Sequence, residues 1–292
     1  MRDSASPDLA SKQSEKVPGV VRFFKARERL GVYRKRSPEI AEELDKFETL
    51  LNNTDMDELF KDVVRDYRAS NDFYASKYLD ITGHVAVNLL RARELGLHTS
   101  PKMDTLDMGA GGGFFCYAAS LYGHRATALE RPPEDHRGPR VRFASLLAFF
   151  GIPTSDQKMK SQVALVSDDA LHGKRFDLIT AFAIMFNVES NGAYWTTDDY
   201  LFLFNDLREN FLKPGGRVCL KFNAPLFGGT RNNMSELGHE YHRTLGKMLK
   251  PFLVSFDEGQ HATLDLFRTD AWGEAKNVRL PPAVRSAAQR SD

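Results

Sequence analysis

The chain has 292 residues, of which 42% are hydrophobic and 27% are charged, and its formal net charge is +1. This length is sufficient for a substantial hydrophobic core and for one large domain with an appendage. The near-neutral charge disfavours nucleic-acid binding, which usually comes with a basic surplus or a basic stripe. The sequence has no apolar run long enough to cross a membrane.

Two features of the sequence predict a cytoplasmic protein. Residues 1–16 are polar and lack the apolar segment of a secretory signal. Cys116 and Cys219 lie in apolar segments, and two buried thiols in a long chain are typical of a reducing compartment. Neither cysteine belongs to a pattern with metal-ligand spacing, so we expect no metal site.

The N-terminal third of the chain is predicted to be helical. Residues 1–18 are rich in Ser, Asp and Lys, which predicts a disordered start. Across residues 19–100, apolar residues recur at spacings of three and four, so we expect a helical N-terminal block. Ser37 followed by Pro38 is typical of a helix start, and Gly96 is typical of a helix end.

Residues 101–272 are predicted to form an α/β domain. Short apolar runs alternate with helical stretches, which indicates a parallel sheet with helices on both faces. The last two runs lie too close together for a helical crossover and are predicted to pair antiparallel. We therefore expect a Rossmann-like, mostly parallel seven-stranded sheet with one antiparallel edge strand, followed by a flexible tail at residues 273–292. The predicted strands are 103–109, 124–130, 161–167, 176–184, 217–223, 252–258 and 262–268, and the predicted helices are 113–122, 139–150 and about 198–212.

A glycine-rich motif follows the first predicted strand. In LDMGAGGGFF, Asp107 lies on the strand and is followed by glycines at positions 109, 111, 112 and 113. Glycine permits backbone angles that are closed to other residues and lets a ligand approach the start of the next helix. In open α/β sheets, ligands bind at the carboxyl ends of the strands, where this motif is predicted to lie.

The register of the glycines indicates which ligand to expect. A dinucleotide fingerprint reads G-x-G-x-x-G, but the position of its third glycine is occupied by Phe114. The observed pattern is G-x-G-x-G, preceded by Asp107. This combination resembles motif I of the class I S-adenosylmethionine-dependent methyltransferases. The Lys213-Pro214-Gly215-Gly216 turn before the fifth strand resembles the same family, and the resemblance spans about residues 103–268.

The resemblance implies S-adenosyl-L-methionine as the cofactor and methyl transfer as the activity. Glu130 ends the second strand, where its carboxylate would accept both ribose hydroxyls, although this placement serves NAD equally well. Asp168 and Asp169 follow the third strand, where the family often has an acid facing the adenine, and helix capping is the alternative role. The implied cofactor-binding residues are Asp107, Gly109, Ala110, Gly111, Gly113, Glu130, Arg131, Asp168, Asp169 and Ala183.

The acceptor and the catalytic group are not specified by the sequence. Many family members have Glu-His after the fourth strand, where this chain has Phe186 and Asn187, and an Asn-Pro-Pro-Tyr-like signature is absent there. These departures favour a small-molecule or sugar-like acceptor over a nucleic acid. Asn187, His239 and His242 are candidates for a catalytic role. Helix capping explains Asn187 equally well, and a surface location is favoured for the two histidines. The oligomeric state is not predicted.

Two other functions stay open at this point. A nicotinamide-dependent oxidoreductase would use the same fold, although Phe114 disfavours it. A non-catalytic protein that keeps the fold is the second alternative, because Phe186 and Asn187 after the fourth strand are unusual for the family. Tyr74, Tyr78 and His84 in the helical block fit either core packing or a ligand contact, and core packing is the commoner role of Tyr at helical spacing.

Overall fold

The computed structural model describes residues 18–70, 78–129, 143–152, 171, 173–182, 193–222, 236–256 and 261–282. The predicted disordered start lies almost wholly outside this part of the chain. Two structural units are present. The first comprises the described residues of Met1–Lys102, Gly111–His124 and Pro133–Pro153, and the second those of Met103–Ala110, Arg125–Pro132 and Thr154–Asp292.

The first unit is helical, as the apolar spacing predicts. On α3, for example, Leu44, Phe47 and Leu51 are fully buried at spacings of three and four residues. The helices are α1 Pro18–Phe24, α2 Ala26–Arg36, α3 Ala41–Asn52, α4 Met56–Ser70, α5 Ile81–Glu94, α6 Phe114–Leu121 and α7 Ala144–Phe149, and a 3₁₀ turn, Pro38–Ile40, precedes α3.

The structure tests the helix start predicted at Ser37 and the helix end predicted at Gly96. The predicted cap at Ser37 is wrong in its details, because the Ser37 side chain makes no capping hydrogen bond. Pro38 begins the short 3₁₀ turn instead, and the α-helix starts three residues later, at Ala41. The predicted stop at Gly96 is confirmed: α5 ends at Glu94, and Gly96 has a φ of 74°.

The second unit is built on a sheet. Its strands are β1 Asp104–Met108, β2 Arg125–Leu129, β3 Phe176–Phe182, β4 Leu212–Lys221, β5 Leu253–Phe256 and β6 Ala262–Leu264. Its helices are α8 Thr197–Asp206, α9 Glu236–Leu249 and α10 Thr269–Asn277, with a π-helical turn at Leu207–Phe211 and a 3₁₀ turn at Lys250–Phe252.

The strand order is β2-β1-β3-β4-β6-β5. Strands β1 to β4 run parallel, whereas β6 runs antiparallel to both of its neighbours, β4 and β5. The mostly parallel sheet with an antiparallel strand near one edge is therefore confirmed. The described residues contribute six strands. The predicted strand at 161–167 lies outside them, so the seventh strand stays a prediction.

One face of the sheet carries the core of the second unit. Leu106, Ile179 and Val218 belong to the same buried cluster as Phe204 of α8 and Leu245 of α9. Because side chains alternate along a strand, Asp107, Thr180 and Cys219 point to the opposite face. Helices α8 and α9 thus cover the face that carries Leu106, Ile179 and Val218. Helices on the opposite face of the sheet stay a prediction.

The predicted Lys-Pro-Gly-Gly turn is confirmed as an interruption within β4. Phe176 pairs with Leu212, but Leu178 pairs with Arg217, so the residues between them leave the ladder. Gly215 has a φ of 79°, a value that favours glycine.

The C-terminal helix crosses the domain boundary expected at residue 272. Ala275 of α10 is fully buried. The residues that follow α10 are hydrogen-bonded to Thr197 at the start of α8. The Thr197 hydroxyl donates to the Val278 carbonyl at 2.6 Å and accepts from the Leu280 N–H at 3.3 Å. The segment expected to be a tail is therefore helical in its first part and hydrogen-bonded to α8 beyond it.

Cys116 and Cys219 are both buried, as their apolar surroundings predict. Among the residues that the structure describes, no helix has the length and apolar character needed to cross a membrane. The same part of the chain contains no group of three or more His, Cys, Asp or Glu side chains arranged to hold a metal ion.

Candidate functional site

The loop after β1 alternates between glycines in the left-handed region and other residues. Gly109, Gly111 and Gly113 have φ values of 68°, 56° and 76°. These are the three glycines of the G-x-G-x-G pattern, and side chains other than glycine are strained at such angles. The backbone therefore explains why glycine occupies every second position of the motif, because the positive φ values fall at residues 109, 111 and 113.

Two of the glycines also lie against neighbouring side chains. A Cβ at Gly113 would approach Leu147 Cδ2 to 2.6 Å, and a Cβ at Gly112 would approach Leu146 Cδ1 to 2.9 Å. Both leucines are on α7. A side chain at Gly112 would therefore displace Leu146, although this glycine lies outside the alternating pattern, and a side chain at Gly113 would both displace Leu147 and strain the backbone.

The start of the loop is fixed by the end of the neighbouring strand. The N–H groups of Gly109 and Ala110 both donate to the Leu129 carbonyl, at 2.7 and 3.3 Å. Leu129 is the last residue of β2. The backbone of the loop therefore turns at the carboxyl edge of the sheet, the edge at which open α/β sheets bind their ligands.

Asp107 is buried one residue before the end of β1 and is 5% exposed. Its Oδ1 accepts a hydrogen bond from the Thr180 hydroxyl at 2.6 Å, and the two residues are register partners on β1 and β3. Burying a carboxylate is costly unless donors satisfy it, so this contact defines the position of the group.

Several predicted site residues lie outside the described part of the chain. Two of them, Glu130 and Arg131, directly follow the last residue of β2. Another, Ala183, directly follows the last residue of β3. The structure therefore leaves Glu130, Arg131, Asp168, Asp169, Ala183 and Asn187 as predictions.

The two histidines of α9 have different environments. His239 is half-buried in the first turn. His242 is 3% exposed, and its Nδ1–H donates to the Gly238 carbonyl of its own helix at 2.8 Å. The His242 ring also packs edge-on against Tyr194, with 5.4 Å between the centroids. These contacts fix the orientation of the His242 ring within the second unit.

Tyr241, beside His242, is a buried structural group. Its hydroxyl donates to the Trp195 carbonyl at 2.7 Å. Burial raises the pKa of Tyr241 far above its usual range, so the phenol stays protonated.

Sequence reasoning missed a histidine at the carboxyl edge of the sheet. Ala262, the first residue of β6, pairs with Leu220 near the end of β4, so His261 lies at the edge where the parallel strands end. His261 is 2% exposed, and its ring centroid is 5.2 Å from that of Phe182, the last residue of β3. The signal was its position immediately before an antiparallel strand, which starts where its parallel neighbours end.

Phe114 occupies the position that a dinucleotide fingerprint reserves for its third glycine. The side chain is 4% exposed and packs against His84 at 4.8 Å and Phe150 at 5.3 Å between centroids. A ring therefore fills the first turn of α6, where a dinucleotide-binding protein needs glycine for close packing. The described residues therefore form a mostly parallel α/β sheet with a glycine loop whose pattern differs from that of a dinucleotide site.

No protein-family model matches the chain, and no curated protein matches it. Similar solved structures carry methyltransferase names. The glycopeptide N-methyltransferase MtfA, complexed with S-adenosyl-L-methionine, is 23% identical with a TM-score of 0.33, over 46% of this chain and 53% of that chain. The mitomycin 7-O-methyltransferase MmcR is 17% identical with a TM-score of 0.35, over 80% and 58%.

The ribosomal protein L11 methylase from Lactobacillus delbrueckii subsp. bulgaricus is 20% identical with a TM-score of 0.29, over 48% of this chain and 58% of that chain. The chain therefore spans between half and three fifths of the length of these proteins.

Proposed function

We propose that this chain binds S-adenosyl-L-methionine at the carboxyl edge of its sheet and transfers the methyl group to a small-molecule or sugar-like acceptor. The observation that carries the proposal is the loop after β1, where Gly109, Gly111 and Gly113 all have positive φ and the first of them lies two residues after the buried Asp107. These are the residues by which the sequence resembles motif I of the class I methyltransferases.

The residues of the loop fit such a cofactor. Gly109, Ala110 and Gly111 are partly exposed, and the turn leads into the N-terminus of α6. Residues Asp107, Gly109, Ala110, Gly111 and Gly113 would hold the cofactor, together with Glu130, Arg131, Asp168, Asp169 and Ala183.

S-adenosylmethionine supplies a methyl carbon that is already electrophilic because it is bonded to a sulfonium. The task of the chain is to orient an acceptor atom toward that carbon, and orientation lowers the barrier most. A side chain that accepts a proton is needed when the acceptor is a hydroxyl or another protonated group. Asn187, His239 and His242 stay the candidates for that role.

The first experiment is calorimetric titration with S-adenosylhomocysteine. We expect micromolar binding, about −8 kcal/mol, to the wild-type protein. Glu130→Ala is expected to bind at least tenfold more weakly, because the ribose loses its acceptor.

A pair of glycine substitutions distinguishes a loss of ligand binding at the loop from a general loss of stability through backbone strain. Gly111→Ala and Gly123→Ala both place a Cβ at positive φ, and neither Cβ meets a close contact, since the nearest atoms lie at 3.9 Å from the first and beyond 4 Å from the second. Both variants should lose about 1 kcal/mol of stability. We expect weaker S-adenosylhomocysteine binding for Gly111→Ala alone.

Three results of these titrations would contradict the proposal. Binding of NAD(H) without S-adenosylhomocysteine would support the oxidoreductase. Binding of neither compound would support the non-catalytic protein. Equal affinities of Gly111→Ala and Gly123→Ala for S-adenosylhomocysteine would show that the loop does not contact the ligand.

A further inference from the structure

Helices α1 and α2 of the first unit follow one another with a single residue, Lys25, between them. The Lys25 N–H donates to the Val21 carbonyl at 3.1 Å, and the Lys25 carbonyl accepts from the Arg29 N–H at 3.1 Å. Both bonds join residues four positions apart, as in an α-helix. The helical hydrogen bonds therefore continue through Lys25, and side chains spaced by three or four residues share a face across both helices.

The two helices bury one side and expose apolar groups on the other. The side chains of the buried side are spaced by three and four residues and are at most 1% exposed: Phe23, Ala26 and Leu30. On the opposite side, Val21 is 41% exposed, and Phe24 and Val32 are each 47% exposed. We call the exposed residues of that side the outer face; they are Val21, Phe24, Lys25, Glu28, Val32, Lys35 and Arg36.

Apolar side chains are unusually frequent on the outer face. Three of the eight large hydrophobic side chains that are exposed in the described part of the chain lie there. A surface helix usually carries polar residues on its outer side, and grouped apolar side chains mark an interaction surface, whereas single ones do not. The Phe24 ring also packs against the partly exposed Phe60 of α4, at 4.9 Å between centroids. The apolar surface therefore extends from α1 onto α4.

The same helices carry a surplus of positive charge. Residues 18–36 contain seven Lys and Arg side chains and one carboxylate, Glu28. Among the described residues, the carboxylates that form ion pairs with these cations are Glu28, Asp45, Glu48 and Asp80. No described carboxylate forms an ion pair with Arg27, Lys35 or Arg36, and the last two of these cations belong to the outer face.

An anionic membrane surface matches both properties of the outer face. Its headgroups supply negative charge for Lys35 and Arg36, and the boundary between headgroups and acyl chains accepts apolar side chains. Nucleic acid would supply phosphates but no apolar environment for Val21 and Val32. A membrane of neutral lipids would leave the cations without partners. Long cationic side chains can lay their apolar stems along such a boundary while the charge reaches the headgroups.

We propose that the outer face of α1 and α2 binds the surface of a membrane that contains anionic phospholipids. The helices lie along the surface, with Val21, Phe24 and Val32 at the boundary between headgroups and acyl chains. Because attraction between cations and headgroups contributes to binding, the affinity falls as the salt concentration rises. The inference does not depend on the proposed function.

The test is sedimentation of the 292-residue chain with vesicles of phosphatidylcholine alone or of phosphatidylcholine mixed with phosphatidylserine. We expect binding to the mixed vesicles only. The double variant Lys35→Gln/Arg36→Gln should bind them about twentyfold more weakly, because each cation near an anionic surface contributes about four- to fivefold. Arg243→Gln/Lys247→Gln removes two exposed cations from α9 and should bind like the wild type.

A second pair of variants tests the apolar part of the outer face. Phe24→Ser should bind the mixed vesicles several-fold more weakly, because the ring no longer enters the boundary. Phe202→Ser, at a position that is 53% exposed on α8, should bind like the wild type. Thermal unfolding of each variant establishes that it is folded before sedimentation.

Four results would overturn the inference. They are equal binding to both kinds of vesicle, binding to neither kind, equal loss in each variant and its control, and tighter binding to polyuridylate than to mixed vesicles. The last result would assign the cations to nucleic acid. A dimer that is lost in Phe24→Ser, without vesicle binding by the wild type, would assign the outer face to a second copy of the chain.

Discussion

At the scale of single residues, the contact between Asp107 and Thr180 supports the edge of the sheet where the cofactor is proposed to bind. Thr180 is fully buried and its hydroxyl donates to the Asp107 carboxylate at 2.6 Å. A buried carboxylate that loses a donor costs more than the hydrogen bond is worth, because the group cannot recover its water. The threonine is therefore a positioning residue for Asp107.

Thr180→Val tests this role with almost no change in volume. We expect the free energy of unfolding to fall by about 1–3 kcal/mol, measured by urea denaturation. S-adenosylhomocysteine should also bind several-fold more weakly, because the carboxylate is no longer held in place. Thr263→Val on β6 is the matched control. If Thr180→Val bound S-adenosylhomocysteine with unchanged affinity, Asp107 would not belong to the cofactor site.

Residue-scale features differ in how far the sequence predicts them. The glycines at 109, 111 and 113 were predictable because a positive φ is a property of one residue, and glycine is the residue that tolerates it. The Thr180–Asp107 contact was not predictable, because it joins residues 73 positions apart. It depends on the neighbouring placement of β1 and β3, and the place of His261 at the sheet edge likewise depends on β6 running beside β4.

At the scale of elements, a charge network ties together the amino-terminal ends of the parallel strands. Asp104 of β1 accepts two hydrogen bonds from Arg125 of β2 and one from Lys213 of β4. Lys213 also donates to Asp177 of β3 at 2.8 Å, and Asp177 accepts from the Asp104 N–H. Four strands are therefore joined at the edge opposite the glycine loop.

The network predicts a loss of stability in acid. The Arg125 guanidinium, followed by Lys213, holds the pKa of Asp104 well below its usual range. A carboxylate with a lowered pKa stabilises the fold above its unfolded pKa, and this contribution is lost as the pH falls below that value. Asp104→Asn should therefore lose about 1–2 kcal/mol at pH 7 and show a shallower loss of stability below about pH 4.

Urea unfolding at a series of pH values measures this effect. Asp270→Asn is the control, because the Asp270 side chain is 71% exposed and lies 3.9 Å from Arg268. A substitution at such a site usually changes stability by less than about 0.5 kcal/mol. If Asp104→Asn followed the wild-type pH curve, the network would contribute nothing to the sheet.

Element boundaries show where sequence reasoning failed. The helix after Thr196 was predictable because the side chains of Thr196 and Asp199 form a local capping box. The second half of helix α10 lies in the segment predicted to be a flexible tail, because that segment contains Pro281-Pro282, small residues and charges. Its burial depends on contacts across the chain, such as Trp272 against Phe252 at 5.3 Å between centroids, which no local pattern contains.

At the scale of the whole molecule, the proposed cofactor should stabilise the folded chain by mass action. A ligand at 100 times its dissociation constant adds about 2.7 kcal/mol when it binds the native state alone. For a protein of this size, that free energy raises the midpoint of thermal unfolding by about 5 °C. We expect S-adenosylhomocysteine to produce such a rise at saturating concentration, measured by scanning calorimetry, and Gly111→Ala to require more ligand for the same rise. An equal concentration of NAD should leave the midpoint unchanged, and a rise with NAD alone would assign the glycine loop to a nicotinamide cofactor despite the ring of Phe114.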